Sequence, residues 1–474
     1  MASTLASAPS VATPPAGLAP AGTLDARTRR LLEGPITPTL LRLAAPNVVV
    51  MVAQAAVTTL DAYFVGWLGA PALAGVALVF PLVMLMQTMS GGGMGGGVAS
   101  AVARALGAGR RAEADALAAH ALVIALVMAG AFTAAALGLG PPLYRAMGGT
   151  GAVLEAAVAY SNVVFGGAIA YWLLNTLGSV VRGSGAMALP ASVTVASAVM
   201  YLLLSPALIL GWGPLPRLGV AGAAAASVSA FGAGGLVLLG YLLSGRGLVR
   251  LSLTGTRLRW RFFREILRVG APGSLNTVLT NLTIVVLTGL VAPFGAAALA
   301  GYGLGARLEY LQIPLVFGFG SALVAMVGTN VGAGRIARAE RVAWTGAGLA
   351  AAVTGAIGLG AALFPRAWLG LFTADPDVIA AGSMYLRTVG PVYGFFGLGL
   401  ALYFASQGAG RLGWPLLAGA ARLAIAGAGG WIAVRWLGGG LEALFVAMAV
   451  ALVVLGGLVA TAIKAGAWRR RRGH

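Results

Sequence analysis

Cysteine is absent from all 474 residues, which excludes disulfides, thiolate metal ligands and thiol catalysis. Histidine occurs only at His120 and His474, with no H-E-x-x-H pattern, so no metal site is expected. Lysine occurs only at Lys464. The P-loop pattern G-x-x-x-x-G-K-[ST] is therefore missing, and no nucleotide is expected as an energy source or partner. Acids number 12 against 31 basic residues, and charged side chains make up only 9% of the chain. Residues 1–36 are rich in Ala, Pro, Ser and Thr and lack a basic start followed by an apolar core. They do not read as a signal peptide but as a disordered cytoplasmic tail.

What remains is apolar. The chain is 59% hydrophobic, with a mean hydropathy of +0.92. That suits many membrane-spanning helices and no soluble domain. Apolar segments fall at 40–66, 71–98, 116–138, 153–177, 187–210, 220–243, 266–292, 297–325, 341–363, 378–403, 414–436 and 441–465. The formal charge of +19 resembles that of a nucleic-acid binder, but its distribution does not. Most arginines sit in alternate connections, including seven positions from Arg246 to Arg268 and the run Arg469 to Arg472. The opposite side has only Arg145, Arg217, Arg366 and Arg435. By the positive-inside rule both termini are cytoplasmic, in a multi-pass inner-membrane protein with the bilayer, not nucleic acid, as its surroundings.

The sequence also repeats. Leu41-Arg42-Leu43-Ala44-Ala45-Pro46 returns as Leu267-Arg268-Val269-Gly270-Ala271-Pro272, and the Gly69-Ala70 stretch returns at Gly295-Ala296, both 226 residues later. Gly107-Ala108-Gly109-Arg110 returns as Gly332-Ala333-Gly334-Arg335, 225 later, as do Gly183, Gly185 and Pro190 at Gly408, Gly410 and Pro415. The expected fold is an all-α integral membrane protein with twelve transmembrane helices in two parallel six-helix repeats. Its N-lobe spans 37–243, a basic linker 244–265, the C-lobe 266–465 and a basic tail 466–474. Both lobes lie within one chain, so no oligomer is required and a monomer is expected. Gly91-Gly92-Gly93-Met94-Gly95-Gly96 fits G-x-G-x-x-G literally but lies inside an apolar helix. It reads as close helix packing or a flexible point, not a nucleotide loop.

Within the spans, charge is scarce enough to be informative. Asp61 sits deep in the first span, where an ionisable group is expensive and marks a functional site. Asn47, Gln54 and Asp61 are seven apart and share a helix face with Thr58. The polar members alone could be interhelical glue. The seventh span repeats the stripe with Ser274, Asn281 and Thr288 but has no acid. Arg307 and Glu309, two apart on the eighth span, do not face each other. Glu309 is either a second proton site or half of a buried salt bridge with Arg387 or Arg422. Tyr160, Tyr171, Trp172 and Tyr201 are candidates for an aromatic cavity wall, with interfacial anchoring as the alternative, and Asn47 and Asn281 are the polar candidates for the same substrate cavity.

Leu-Asp-Ala-Tyr-Phe-Val-Gly-Trp-Leu-Gly (60–69), followed by Ala-Leu-Ala-Gly (72–75), resembles the first-helix signature of the multidrug and toxic compound extrusion (MATE) transporters. Gly-Thr-Asn-Val-Gly-Ala-Gly (328–334) resembles that family's Gln-Asn-x-Gly-Ala turn, with Thr329 in place of Gln. Ala306-Arg307-Leu308 resembles its Ala-x-Arg-Ile/Leu pattern. The resemblance covers nearly the whole chain from about residue 38. It implies a V-shaped two-lobe transporter, not an enzyme, exporting lipophilic, mostly cationic compounds in exchange for H⁺ or Na⁺. It is nearest to the branch of the DNA-damage-inducible protein F, whose first-helix Asp couples the cation; Asp61 matches it. Tyr160 and Asn175 fall where that branch lines its first-lobe cavity. The branch's Asn-x-x-x-Asp-Pro pattern appears here as Tyr201-Leu202-Leu203-Leu204-Ser205-Pro206, without Asn or Asp. Asp61 is thus left as the main coupling carboxylate, with Gln54, Thr58, Asn175, Tyr201 and Ser205 as neighbours. H⁺ is favoured over Na⁺, because a hard cation wants several oxygen ligands. A lipid-linked saccharide flippase is the alternative, provided Arg307, Arg387 and Arg422 converge on the cleft.

Overall fold

The computed structural model describes residues 25–213, 215–252 and 257–469, without the side chains of residues 51, 52, 55, 56, 58 and 59. Among the described residues there is no strand. Lipid offers no hydrogen-bond partner to a backbone, so each span must satisfy its own amides, as helices do.

A short helix, α1 (Ala26–Glu33), precedes the first span, α2 (Ile36–Gly66). The N-lobe continues with α3 (Ala70–Gly107), α4 (Arg111–Ala146), α5 (Gly151–Gly166), α6 (Ala168–Gly183), α7 (Ala188–Leu210) and α8 (Val220–Leu243). Helices α5 and α6 meet at 45° about Gly167 and together make one broken span. The C-lobe holds α9 (Trp260–Phe294), α10 (Ala296–Gly332), α11 (Ile336–Leu363), the short α12 (Pro365–Leu369), α13 (Pro376–Ala409), α14 (Gly413–Arg435) and α15 (Leu441–Lys464). Ten of these are long and apolar enough to cross a membrane, and the bent pair makes eleven. With α2, at 31 residues, the count reaches the expected twelve.

The repeat is visible in the backbone as well as in the letters. Gly69 and Gly295 both precede a helix with φ near +95°, at 95° and 99°. Gly109 and Gly334 (74° and 73°) and Gly185 and Gly410 (78° and 73°) match in the same way. A side chain is strained at these angles, so a glycine recurs wherever the turn recurs.

The lobes meet at the Arg-rich end. There the second half of α3 packs against α9, α10 and α13. A Cβ on Gly97 would stand 2.6 Å from the Gly270 nitrogen, and one on Gly107 would stand 2.0 Å from the Thr329 carbonyl oxygen. Small residues thus let the backbones of the two lobes touch. The glycine run of α3 begins in a π-helical turn, Met89–Gly93. Of the two expectations for this run, these approaches bear out close packing.

Two boundaries differ from the sequence reading. Part of the expected disordered tail, 26–33, is helix α1, with Leu31 and Leu32 buried. Its last turn is bound to the C-lobe: Asn330 Nδ2 donates to the Leu31 carbonyl (3.1 Å) and Arg335 Nη1 to that of Leu32 (3.0 Å). The part of the tail before Asp25 lies outside the described residues. The basic linker, expected to reach 265, gives way to α9 at Trp260. Its described part is packed rather than slack: Val249 and Leu251 are buried in the N-lobe core, and the Arg259 amide donates to His120 Nε2 at 2.9 Å. The histidine has a structural task there, held between Phe262 and Phe263. In the tail expected from 466, Trp468 is buried in the C-lobe and Arg469 pairs with Glu340; residues beyond 469 lie outside the described set.

Candidate functional site

The structure sorts the polar residues of the spans into three groups. The first closes the Arg-rich end. Asn47 Nδ2 donates across the lobes to Ser321 Oγ (2.7 Å) and to the Gly318 carbonyl (3.4 Å). Gln407 Nε2 donates to the Gly92 carbonyl at 2.9 Å. Ser100 donates to the Gln407 and Gly408 carbonyls, and Arg104 lies 3.7 Å from Glu265. Asn47 was a candidate for the cavity wall; its side chain is instead committed to the junction between lobes, because α2 faces α10 at that depth.

The second group lies in the N-lobe around Asp61. Asp61 is 14 residues beyond Asn47 on α2, about 21 Å further along the helix axis. It is half-buried, and the Tyr201 hydroxyl of α7 donates to its Oδ1. Tyr201 is 3% exposed. Ser205, one turn further along α7, is fully buried. Tyr160 on α5 and Tyr171 on α6 are buried and within electrostatic reach of the carboxylate. The Tyr171 hydroxyl is taken by Ser227 Oγ at 2.8 Å, and its ring meets Phe231 edge-on. Asn175 lies nearer the junction, with Nδ2 donating to Ser90 Oγ at 2.9 Å. Gln54 is exposed on α2, and the Thr58 side chain lies outside the described residues.

Trp172, expected on the cavity wall, is fully buried and packs against Phe132 at 6.0 Å. It follows Tyr171 in sequence, and consecutive residues on a helix point about 100° apart. Its ring therefore enters the lobe core. Asn281, the C-lobe candidate, donates to the Thr277 carbonyl of its own helix at 2.9 Å. Arg182 is a further polar residue of this region that the sequence does not single out. Its side chain folds back along α6 to Ser179 Oγ (2.8 Å) and the Asn175 carbonyl (3.3 Å). The seven-residue spacing from Asn175, the same that linked Asn47, Gln54 and Asp61, was the available signal.

The third group is a C-lobe ion pair. Arg422 Nη2 lies 2.8 Å from Glu309 Oε1, and the Tyr385 hydroxyl donates to Oε2 at 3.2 Å. Of the two partners expected for Glu309, the structure selects Arg422; Arg387 is exposed. Arg307 is also exposed, with its guanidinium 5.8 Å from the Phe372 ring centroid. As their separation on one helix required, Arg307 and Glu309 have different partners. The pair borders a cavity of only about 20 Å³, walled by Tyr302, Tyr310 and Met448 among others.

Asymmetry is the chemical consequence. The C-lobe carboxylate is neutralised by a guanidinium, whereas Asp61 is met by a neutral hydroxyl. A carboxylate of the second kind is able to exchange a proton or an organic cation without breaking an ion pair.

Comparisons with known proteins agree with this architecture. The chain is 33% identical over 355 residues to a probable multidrug resistance protein NorM of Deinococcus radiodurans, spanning 74% of this chain and 76% of that one. It is 27% identical over 378 residues to an FAD transporter of Shewanella oneidensis, spanning 79% and 82%. Among solved structures, a MATE in complex with MaD3S superposes with a TM-score of 0.85 at 24% identity, over 95% of this chain and all of that one. The outward-facing conformation of a multidrug resistance MATE family transporter gives 0.84, also at 24% identity over 95% of this chain and all of that one. The MatE family model matches residues 46–207 and 272–430, one stretch in each lobe. The chain belongs to the MatE family of membrane transporters.

Proposed function

We propose that the protein exports lipophilic, mostly cationic organic compounds by alternating access, in exchange for an inward-moving cation, with H⁺ as the coupling ion. The observation that carries this reading is the Tyr201–Asp61 contact: a membrane-embedded carboxylate paired only with a neutral donor among its described partners. Ionised, Asp61 attracts a cationic compound; protonated, it releases it. Tyr201 stabilises the ionised form through its hydrogen bond and thereby sets the balance between the two. With the Arg-rich end placed in the cytoplasm, the closure at that end corresponds to a cleft opening outward, the state in which Asp61 takes up a proton. Pairing with a hydroxyl rather than a second carboxylate supports H⁺ over Na⁺.

A second reading has one observation in its favour. The Shewanella relative is named an FAD transporter, and Arg182 lies with Asn175 in the same N-lobe, bonded to neutral groups. Export of an anionic flavin nucleotide would use that guanidinium. The lipid-linked saccharide alternative loses one of its three arginines, since Arg422 is paired with Glu309.

The test is transport by reconstituted vesicles under an imposed pH gradient, with ethidium or FAD as cargo and a Na⁺ gradient as a parallel arm. Gradient-driven ethidium movement that Asp61→Asn abolishes is the expected result. Equal transport by the variant overturns the exchange mechanism. FAD movement without ethidium movement moves the second reading to first place.

A further inference from the structure

The Arg-rich face carries a cavity that the transport reading does not use. It lies between α1, the start of α4, the end of α8 and the turn that follows α8, with a volume of about 550 Å³. Arg27 and Arg30 from α1, Arg111 from α4 and Arg246 from the turn line it, together with Tyr241 and a single acid, Asp25.

A positive-inside bias alone does not explain this grouping, because other arginines on the same face are neutralised. Arg110 and Arg261 share Glu113, at 2.7 and 2.8 Å, and Arg335 lies 3.5 Å from Glu33. Among the described residues, none of the four cavity arginines forms an ion pair. Asp25 offsets only one of the four charges, and its Oδ2 also accepts the Arg27 amide at 2.8 Å, as the N-cap of α1. Arg111 is held across the cavity by its bond to the Gly247 carbonyl at 3.2 Å. Four guanidinium groups against the lining carboxylate of Asp25, with Asp115 beside Arg111 as a second acid, leave a net positive cavity suited to an anion, and planar forks favour phosphate oxygens. The volume accommodates a diphosphate or a lipid headgroup rather than a lone small ion. The position at the end of the spans, beside Tyr241, is where headgroups lie.

We propose that this cavity binds a phosphate-bearing anion, supplied either by an anionic phospholipid headgroup or by a soluble phosphate compound. Two of its arginines belong to α1, and α1 is bonded to the C-lobe through Asn330 and Arg335. The rest of the cavity belongs to the N-lobe and to the start of the linker that leaves it. A bound anion therefore ties α1 to both lobes at the closed end.

The experiment uses the full chain purified in detergent. Pyrophosphate binding is measured by calorimetry, and retention of phosphatidylglycerol over phosphatidylcholine by native mass spectrometry. Arg27→Gln/Arg246→Gln is compared with Arg29→Gln/Arg341→Gln, which removes equal charge from the same face outside the cavity. The expected result is at least a tenfold loss of binding in the first variant and none in the second. Pyrophosphate binding identifies a soluble source, and phosphatidylglycerol retention alone identifies a lipid. Arg246→Gln by itself lies on a turn outside any helix, and it should weaken binding at an unchanged melting temperature. Equal behaviour of the two double variants, no effect of Arg246→Gln, or no binding of either probe by the wild type overturns the proposal.

Discussion

The hydroxyl of Tyr201 donates to the carboxylate of Asp61 across 140 residues of sequence, joining α7 to α2 inside the N-lobe. A hydrogen bond to a charged group contributes about 1.5–3 kcal/mol, which corresponds to roughly ten- to hundredfold in an equilibrium. Tyr201→Phe should therefore slow gradient-driven transport by about tenfold or more without unfolding the lobe, since only an oxygen is removed. Asp61→Asn should abolish coupling altogether. Initial rates in vesicles, with circular dichroism as a check on folding, measure both.

Glu309 and Arg422 should behave in the opposite way. Both are nearly buried, with side chains 11% and 13% exposed. Arg422→Met alone leaves a buried carboxylate without its partner and should destabilise the protein by about 3–5 kcal/mol. Arg422→Met/Glu309→Gln removes both charges and should recover most of that loss. Thermal unfolding in detergent reads the difference. A single variant as stable as wild type would show that the pair does not hold the C-lobe together.

The absence of cysteine allows the closure to be tested without background. Asn47 and Ser321 are bonded at 2.7 Å across the lobes. Asn47→Cys/Ser321→Cys should crosslink under oxidation and stop transport, and a reductant should restore it. Crosslinking with undiminished transport would mean that the lobes do not separate at this depth.

Helix α1 fastens the same end from outside the spans. Leu31 and Leu32 are 3% and 1% exposed, and burying a leucine contributes about 1.5–3 kcal/mol. Leu31→Asp/Leu32→Asp should release α1 and increase thiol labelling of an Asn330→Cys probe. Unchanged labelling would place the restraint elsewhere.

Several of these features were legible in the letters. Spans appear as apolar runs because lipid demands them, and the repeat survives because matched turns need glycine at matched positions. Asp61 stood out because a charge in lipid is costly. Helix α1 did not stand out, since eight residues with three arginines carry no span-like signal and become ordered only by docking. Trp172 and Asn47 were placed on the cavity because residue type indicates a role but not a direction.

The sequence by itself determined twelve spans, two related halves, the basic end and a single unmatched acid in the first span. These follow from hydropathy, charge and backbone strain, which act locally along the chain. Tertiary structure alone decided that Tyr201 serves Asp61, that Arg422 and not Arg387 neutralises Glu309, and that Asn47 belongs to the closure. Each of those contacts joins helices 90 or more residues apart in sequence or selects between equally charged rivals, as the separations of 113, 140 and 274 residues show. Such pairings depend on how helices pack and rotate against one another, which no local pattern records.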